Sequence, residues 1–188
     1  MGKYRNLLKY GFLFGASKGV PDYMDLFVGC VITEYRNTTR EIIQEFAFYN
    51  CRQLKKVEFT NAWTSGYSTF NGCSGLETVI FPNLWEASSY AFENCTLLKR
   101  FDCPLLRVIG EGTFRQSGLE TLIIRKTDGL CTLGNANALT NTPIANGTGY
   151  IYVPRALVDS YKASTNWSTY ANQFRAIEDY PDIVGGAV

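Results

Sequence analysis

Phenylalanine recurs at Phe48, Phe70, Phe92 and Phe114, in three consecutive steps of 22 residues. No other feature constrains the fold so tightly. The residue before each is small (Ala47, Thr69, Ala91, Thr113), and three residues after each stand Cys51, Cys73, Cys95 and Ser117. Leu54, Leu76, Leu98 and Leu119 follow, the last one residue early, so the fourth unit is shortened. Then come the pairs Val57/Phe59, Val79/Phe81, Phe101/Cys103 and Leu122/Ile124. A fixed period of this length marks units that cannot bury their own apolar side and must stack on one another. The Leu-x-x-Val-x-Phe phrase predicts a short strand whose alternate residues face inward. The Phe-x-x-Cys phrase predicts a tight turn, with Asn50, Asn71-Gly72 and Asn94 as its turn residues.

Run outward, the period places a degenerate first strand at Ile32–Tyr35 and its turn at Phe27–Cys30, displaced by one residue. Downstream, Ala138-Leu139 repeats the shortened unit with leucine for phenylalanine, and Tyr150–Val153 supplies a last strand. After Pro154, Leu157 and Tyr161 have helical spacing, and Trp167, Tyr170 and Phe174 continue an apolar stripe in a second predicted helix. That stripe reads either as a docking face or as a lid over the open solenoid end. The lid is preferred, because solenoid ends need covering.

The fold predicted is a repeat solenoid of about five coils of 22 residues, with a short strand in each coil and a C-terminal helical cap. Residues 1–25 are unassigned, 26–153 form the solenoid and 154–188 form the cap and tail. The F-x-N-C-x-x-L-x-x-V-x-F-P phrase resembles the BspA-like, or treponemal-type, leucine-rich repeat. The tail phrases Gly149–Pro154, Leu157–Lys162 and Asn166–Ala171 resemble the closing segment of such proteins in gut Firmicutes and their prophages. The resemblance implies a right-handed solenoid with short parallel strands on its concave face. It also implies binding or adhesion to a protein or glycan, on a cell surface or a phage appendage, without catalysis or cofactor. Ser117, Leu139 and the shortened units depart from the pattern.

The 188-residue chain contains no histidine, which removes Ser-His-Asp and Cys-His catalysis and His-ligated zinc. Its net charge of +1 argues against a nucleic-acid partner. No run approaches the length of a membrane span. The short apolar run after Lys3, Arg5 and Lys9 lacks a small-x-small cleavage site, so a cleaved signal is not expected. Cys30, Cys51, Cys73, Cys95, Cys103 and Cys131 include no C-x-x-C, and three share one repeat column. Buried, reduced thiols are expected.

The outward strand positions form three columns. The first is Thr33, Lys55, Glu77, Lys99 and Glu120. The second is Glu34, Lys56, Thr78, Arg100 and Thr121. The third is Arg36, Glu58, Ile80, Asp102 and Ile123. They read as a charged recognition strip or as self-paired charges that keep the face soluble and in register. The second column lacks the acid that the first has at Glu77, so Lys56 and Arg100, with Lys99 beside them, are the expected polar anchors for an anionic or polyhydroxyl ligand. Trp63 and Trp85, also 22 apart and continued by Arg107, fall near the rim. They could hold sugar rings, although packing between coils is the preferred reading. An Asp102/Glu120 pair could imitate a glycosidase dyad, but a shallow wet face would raise neither carboxyl's pKa.

Overall fold

The computed structural model describes residues 27–185, so the unassigned first segment and the signal question lie outside the described residues. Each repeat contributes one strand to a parallel ladder. The strands are β1 (Glu34–Asn37), β2 (Lys56–Phe59), β3 (Thr78–Ile80), β5 (Arg100–Asp102), β7 (Thr121–Ile123) and β9 (Tyr150–Val153). The ladder is divided into a sheet β1-β2-β3 and a sheet ordered β10-β9-β7-β5, where β10 is Phe174–Ala176. Its register sets Glu34 beside Lys56 and Lys56 beside Thr78, Arg100 beside Thr121, and Asp102 beside Ile123. The charged columns therefore align within each sheet. Val57, Val79, Phe101, Leu122 and Ile151 are the inward residues between them, as period two requires. Pro82 and Pro104 follow β3 and β5 closely; without an N–H, neither can prolong the ladder.

A second ladder was not foreseen. β4 (Glu86–Ala87), β6 (Val108–Ile109) and β8 (Thr132–Leu133) pair in parallel, and bridges Ile42–Thr64–Glu86 extend the row. Two-residue strands are too short to show alternation. Their signal is the 22-residue step of the buried residues Ala62, Leu84 and Leu106 beside them.

Between the ladders runs a spine of rings. Phe27, Phe48, Phe70, Phe92 and Phe114 stack nearly parallel at 4.7, 5.2, 5.3 and 5.6 Å, close to the separation of adjacent strands. Leu139 follows Phe114 in the row, since the Phe114 N–H donates to Ala138 as Phe92 donates to Thr113. Each buried phenylalanine contributes about 1.5–3 kcal/mol, and the shared period lets every coil use both neighbours.

Two backbone columns also repeat. Phe46, Ser68, Tyr90 and Gly112 have left-handed φ of 56°, 50°, 59° and 59°. A left-handed side-chain-bearing residue costs roughly 1–2 kcal/mol. Main-chain bonds to the next coil, from Phe46 to Tyr67, Ser68 to Ser89 and Tyr90 to Glu111, hold the geometry. At Gly112 a Cβ would also sit 2.4 Å from the Tyr90 ring, so a side chain there would have to displace that ring. The second column is Asn50, Gly72, Asn94 and Gln116, the turn that Asn and Gly had predicted.

The turn thiols form a ladder of their own. Sγ of Cys51, Cys73 and Cys95 donates to the carbonyl of Phe27, Phe48 and Phe70 in the preceding coil. Ser117 stands in this column, but its buried Oγ has no hydrogen-bond partner. An unsatisfied hydroxyl carries its desolvation cost unreturned. Ser117→Ala should therefore raise unfolding free energy by about 1 kcal/mol in urea titration; a loss of stability would show that the hydroxyl is satisfied in solution.

The C-terminal region departs from expectation. After α1 (Val158–Ala163), the predicted second helix is a 3-10 run, Trp167–Gln173, kinked at Tyr170, and Phe174 lies in strand β10. The open edge of β9 explains this: Phe174 and Ala176 face inward while the backbone pairs with Ile151–Val153. The aromatic stripe is buried rather than displayed. Trp167 Nε1 donates to the Cys131 carbonyl at 2.7 Å, and Tyr161 Oη accepts from the Cys131 N–H at 2.7 Å.

Candidate functional site

The outward face of the first ladder divides in two. Over β1–β3 it is open: Lys55, Glu77 and Thr78 are exposed and Lys56 is half-buried. Arg36 donates to Glu58 at 3.0 Å across the coil step, as the third column suggested. Lys55, Lys56 and Glu77 form no ion pair among the described residues. Lys99 pairs with Glu120 at 2.9 Å, so this part of the first column neutralises itself.

Over β5–β9 the face is different, and two expected site residues need correction. Arg100 is no unpaired cation: its Nη2 donates to Asp102 Oδ2 at 2.9 Å and its Nη1 to the Ile183 carbonyl at 2.7 Å. Asp102 is no exposed acid. It is buried, and Arg125 grips both its oxygens, Nε to Oδ1 at 2.9 Å and Nη2 to Oδ2 at 2.7 Å. That hydrogen bonding holds the Arg125 pKa above its usual range. The sequence offered no sign of it, because Arg125 lies just outside the strand pattern. Ile123 and Tyr152, outward by alternation, are also buried, in an apolar cluster separate from the main core. Asp102 is thus shut off from solvent by Arg125 while Glu120 pairs with Lys99, so these two carboxylates do not face each other as an open pair.

Trp63 and Trp85 flank the second ladder, linked by the Trp85 N–H to the Trp63 carbonyl at 2.8 Å. They are 43% and 41% exposed, so they are not consumed by packing between coils. Arg107, next in the row, is held by Asp128 at 3.0 Å. Lys126 and Arg107 together depress the Asp128 carboxyl to about 2.

A third polar row went unread in the sequence although it keeps the 22-residue step. Asn71 Nδ2 donates to Glu93 Oε2 at 2.7 Å and Arg115 Nε to Glu93 Oε1 at 2.6 Å, and Glu93 is buried. Both its oxygens are occupied, so the row is structural.

All six cysteines are free and buried. Burial pushes the Cys73 and Cys131 thiols up to about 12, and Cys95 and Cys103 well above their ordinary value. Cys30 and Cys51 approach to 3.1 Å; the bond between them lowers Cys30 to about 7 and, with burial, raises Cys51. No cluster of three or more metal-ligating side chains occurs among the described residues. No helix among them is long and apolar enough to cross a membrane. Shallow surface depressions near Asn50–Asn71–Asn94 and near Thr64–Tyr67–Glu86 align polar groups suited to hydrogen bonding.

A family model described as the BspA type leucine rich repeat region matches six copies over residues 23–138. No curated protein matches. Among solved structures, the Treponema pallidum leucine-rich repeat protein TpLRR superposes with a TM-score of 0.54 at 20% identity, covering 65% of this chain and 58% of its own. A leucine-rich repeat protein from Bacteroides ovatus gives 0.60 at 24% identity, covering 84% and 41%. The pneumococcal vaccine antigen PcpA gives 0.58 at 14% identity, covering 81% and 44%. The chain therefore spans roughly half the length of these structures, and at these identities they share its fold.

Proposed function

Starting from a chain that belongs to the BspA-type leucine-rich repeat family, we propose a non-catalytic protein-interaction module that binds through the concave face of its solenoid. This reading takes the array as right-handed, of about five coils, closed by the C-terminal segment. The observation that carries it is the open half of the first ladder. There Lys55, Lys56, Glu77 and Thr78 present side chains across adjacent coils, without ion pairs to one another. Polar groups repeated at the strand spacing suit an extended partner, and each charge-assisted hydrogen bond contributes about 1.5–3 kcal/mol. A place on a bacterial surface or a phage appendage accords with this reading.

The exposed Trp63 and Trp85 support a second reading, a rim site for sugar rings. A structural spacer without a ligand is the third, favoured by the self-paired Arg36–Glu58 and Lys99–Glu120. The test is a screen of the purified chain against arrays of glycans and of surface proteins. For a hit on the concave face, Lys55→Glu with Lys56→Glu should weaken binding about tenfold or more and leave the urea midpoint nearly unchanged, as exposed charges stabilise little. A hit lost instead in Trp63→Ala with Trp85→Ala places recognition on the rim. No hit on either array favours the spacer.

A further inference from the structure

Ile123 and Tyr152 lie outward on β7 and β9, yet both are buried. Their cover is the chain's own tail. After β10 the backbone turns through Ile177–Asp179 into the helical turn α2 (Pro181–Val184). Ile177 and Tyr180 pack into the Ile123/Tyr152 cluster, the Tyr180 ring edge-on to Tyr152 at 5.4 Å. The Ile183 carbonyl then reaches β5, where Arg100 Nη1 donates to it at 2.7 Å. The tail thus crosses back over β9 and β7 to β5.

The attachment has the chemistry of a bound peptide rather than of a core. The Tyr180 ring and Ile177 enter an apolar patch, one main-chain carbonyl is recognised by a guanidinium, and Glu178, Asp179, Pro181, Asp182 and Ile183 are exposed. Charge is complementary. Residues 177–185 carry Glu178, Asp179 and Asp182 and no base. Arg155 takes Glu178 with its backbone N–H at 3.0 Å and pairs its guanidinium with Asp179.

Resting on the interaction-module reading above, we propose that the outward face of β5, β7 and β9 is a peptide-recognition site occupied in cis by residues 177–185. Its partner is an acidic protein segment that carries an aromatic side chain three residues before a carbonyl for Arg100. A tethered segment acts at an effective concentration around millimolar. The tail therefore sets a threshold that a genuine partner must exceed, and weakening the tail should unmask the site.

The probe is a fluorescent synthetic peptide of this chain's residues 176–185, read by anisotropy against the full chain. Tyr180→Ala should bind it about tenfold or more tightly than the unaltered chain, because the competing tail is weakened. Adding Tyr152→Ala or Arg100→Ala should remove the gain. A Tyr180→Ala chain that keeps its melting transition and gains no binding overturns the proposal, and the tail is then a fixed wall. Should Tyr180→Ala fail to fold, hydrogen exchange on the unaltered chain decides. The Tyr180 and Ile183 amides, bonded only to Ile177 and Tyr180 carbonyls within the tail, should exchange far faster than the Ile124 amide bonded to Tyr152. Equal protection also overturns it. The peptide experiment does not touch Lys55 or Lys56. Peptide binding with an empty partner screen would therefore sustain this site and remove only the Lys55/Lys56 site of the earlier reading, whereas a partner lost in the Lys55/Lys56 variant, without peptide binding, would overturn the tail-covered site and leave the interaction module standing.

Discussion

Phe92→Ala is expected to lower unfolding free energy by about 3–5 kcal/mol, the range for truncating a large core aromatic. Phe92 is fully buried and clasped from both sides, by Phe70 at 5.3 Å and Phe114 at 5.6 Å, with Phe101 edge-on at 5.1 Å. The cavity cannot close by collapse. Hydrogen bonds from Phe70 to Ala91 and from Phe92 to Thr113 fix the spacing of the coils on either side. Phe27 stacks on Phe48 at 4.7 Å on one side and touches Tyr35, but retains some solvent contact. Phe27→Ala should therefore cost clearly less. Urea unfolding of both variants checks this; equal losses would mean that the ring spine does not govern the array.

Trp167→Ala should cost about as much, roughly 3–5 kcal/mol, although it lies outside the repeats. Its ring packs against Tyr161 at 5.5 Å and Phe174 at 5.8 Å, and its Nε1 donates to the Cys131 carbonyl. Truncation empties the space under α1 and leaves that carbonyl without its donor. In a stack where each unit is held by its neighbours, loosening one end also exposes the next coil. Trp167→Phe keeps most of the area and should cost less, about 1–2 kcal/mol from the lost hydrogen bond. Thermal and urea unfolding measure both variants. A Trp167→Ala protein as stable as the original would show that residues 154–176 do not close the end of the core.

The regular part of the fold was legible because its determinants repeat. A phenylalanine at one position meets phenylalanines 22 residues away, so spacing alone reports which residues touch. The same logic yields the register Glu34–Lys56–Thr78 and Arg36–Glu58 across the open half of the face. The second ladder was harder to see, since β4, β6 and β8 have two residues each and too little alternation to stand out. Left-handed Phe46, Ser68 and Tyr90 were illegible for another reason. Local preference would ask for glycine there, and bonds to the next coil override it. β10 went unseen because Trp167, Tyr170 and Phe174 fit helical spacing, while the unpaired edge of β9 rewards an extended backbone.

The sequence by itself determined the repeat, the inward and outward sides of the six repeat strands of the first ladder and the buried thiol column. These follow from local patterns and from contacts one period apart. Only the tertiary structure decided which outward residues remain available. Arg100 meets the carbonyl of Ile183, 83 residues away, Asp102 meets Arg125 one coil on, and Tyr180 covers Tyr152. The contacts made by the tail obey no period, and the Asp102–Arg125 pair depends on how a side chain just past β7 turns back. The physical reason for the Arg100 and Tyr152 contacts is the acidic, aromatic tail, which returns from β10 across a face that alternation alone would leave open.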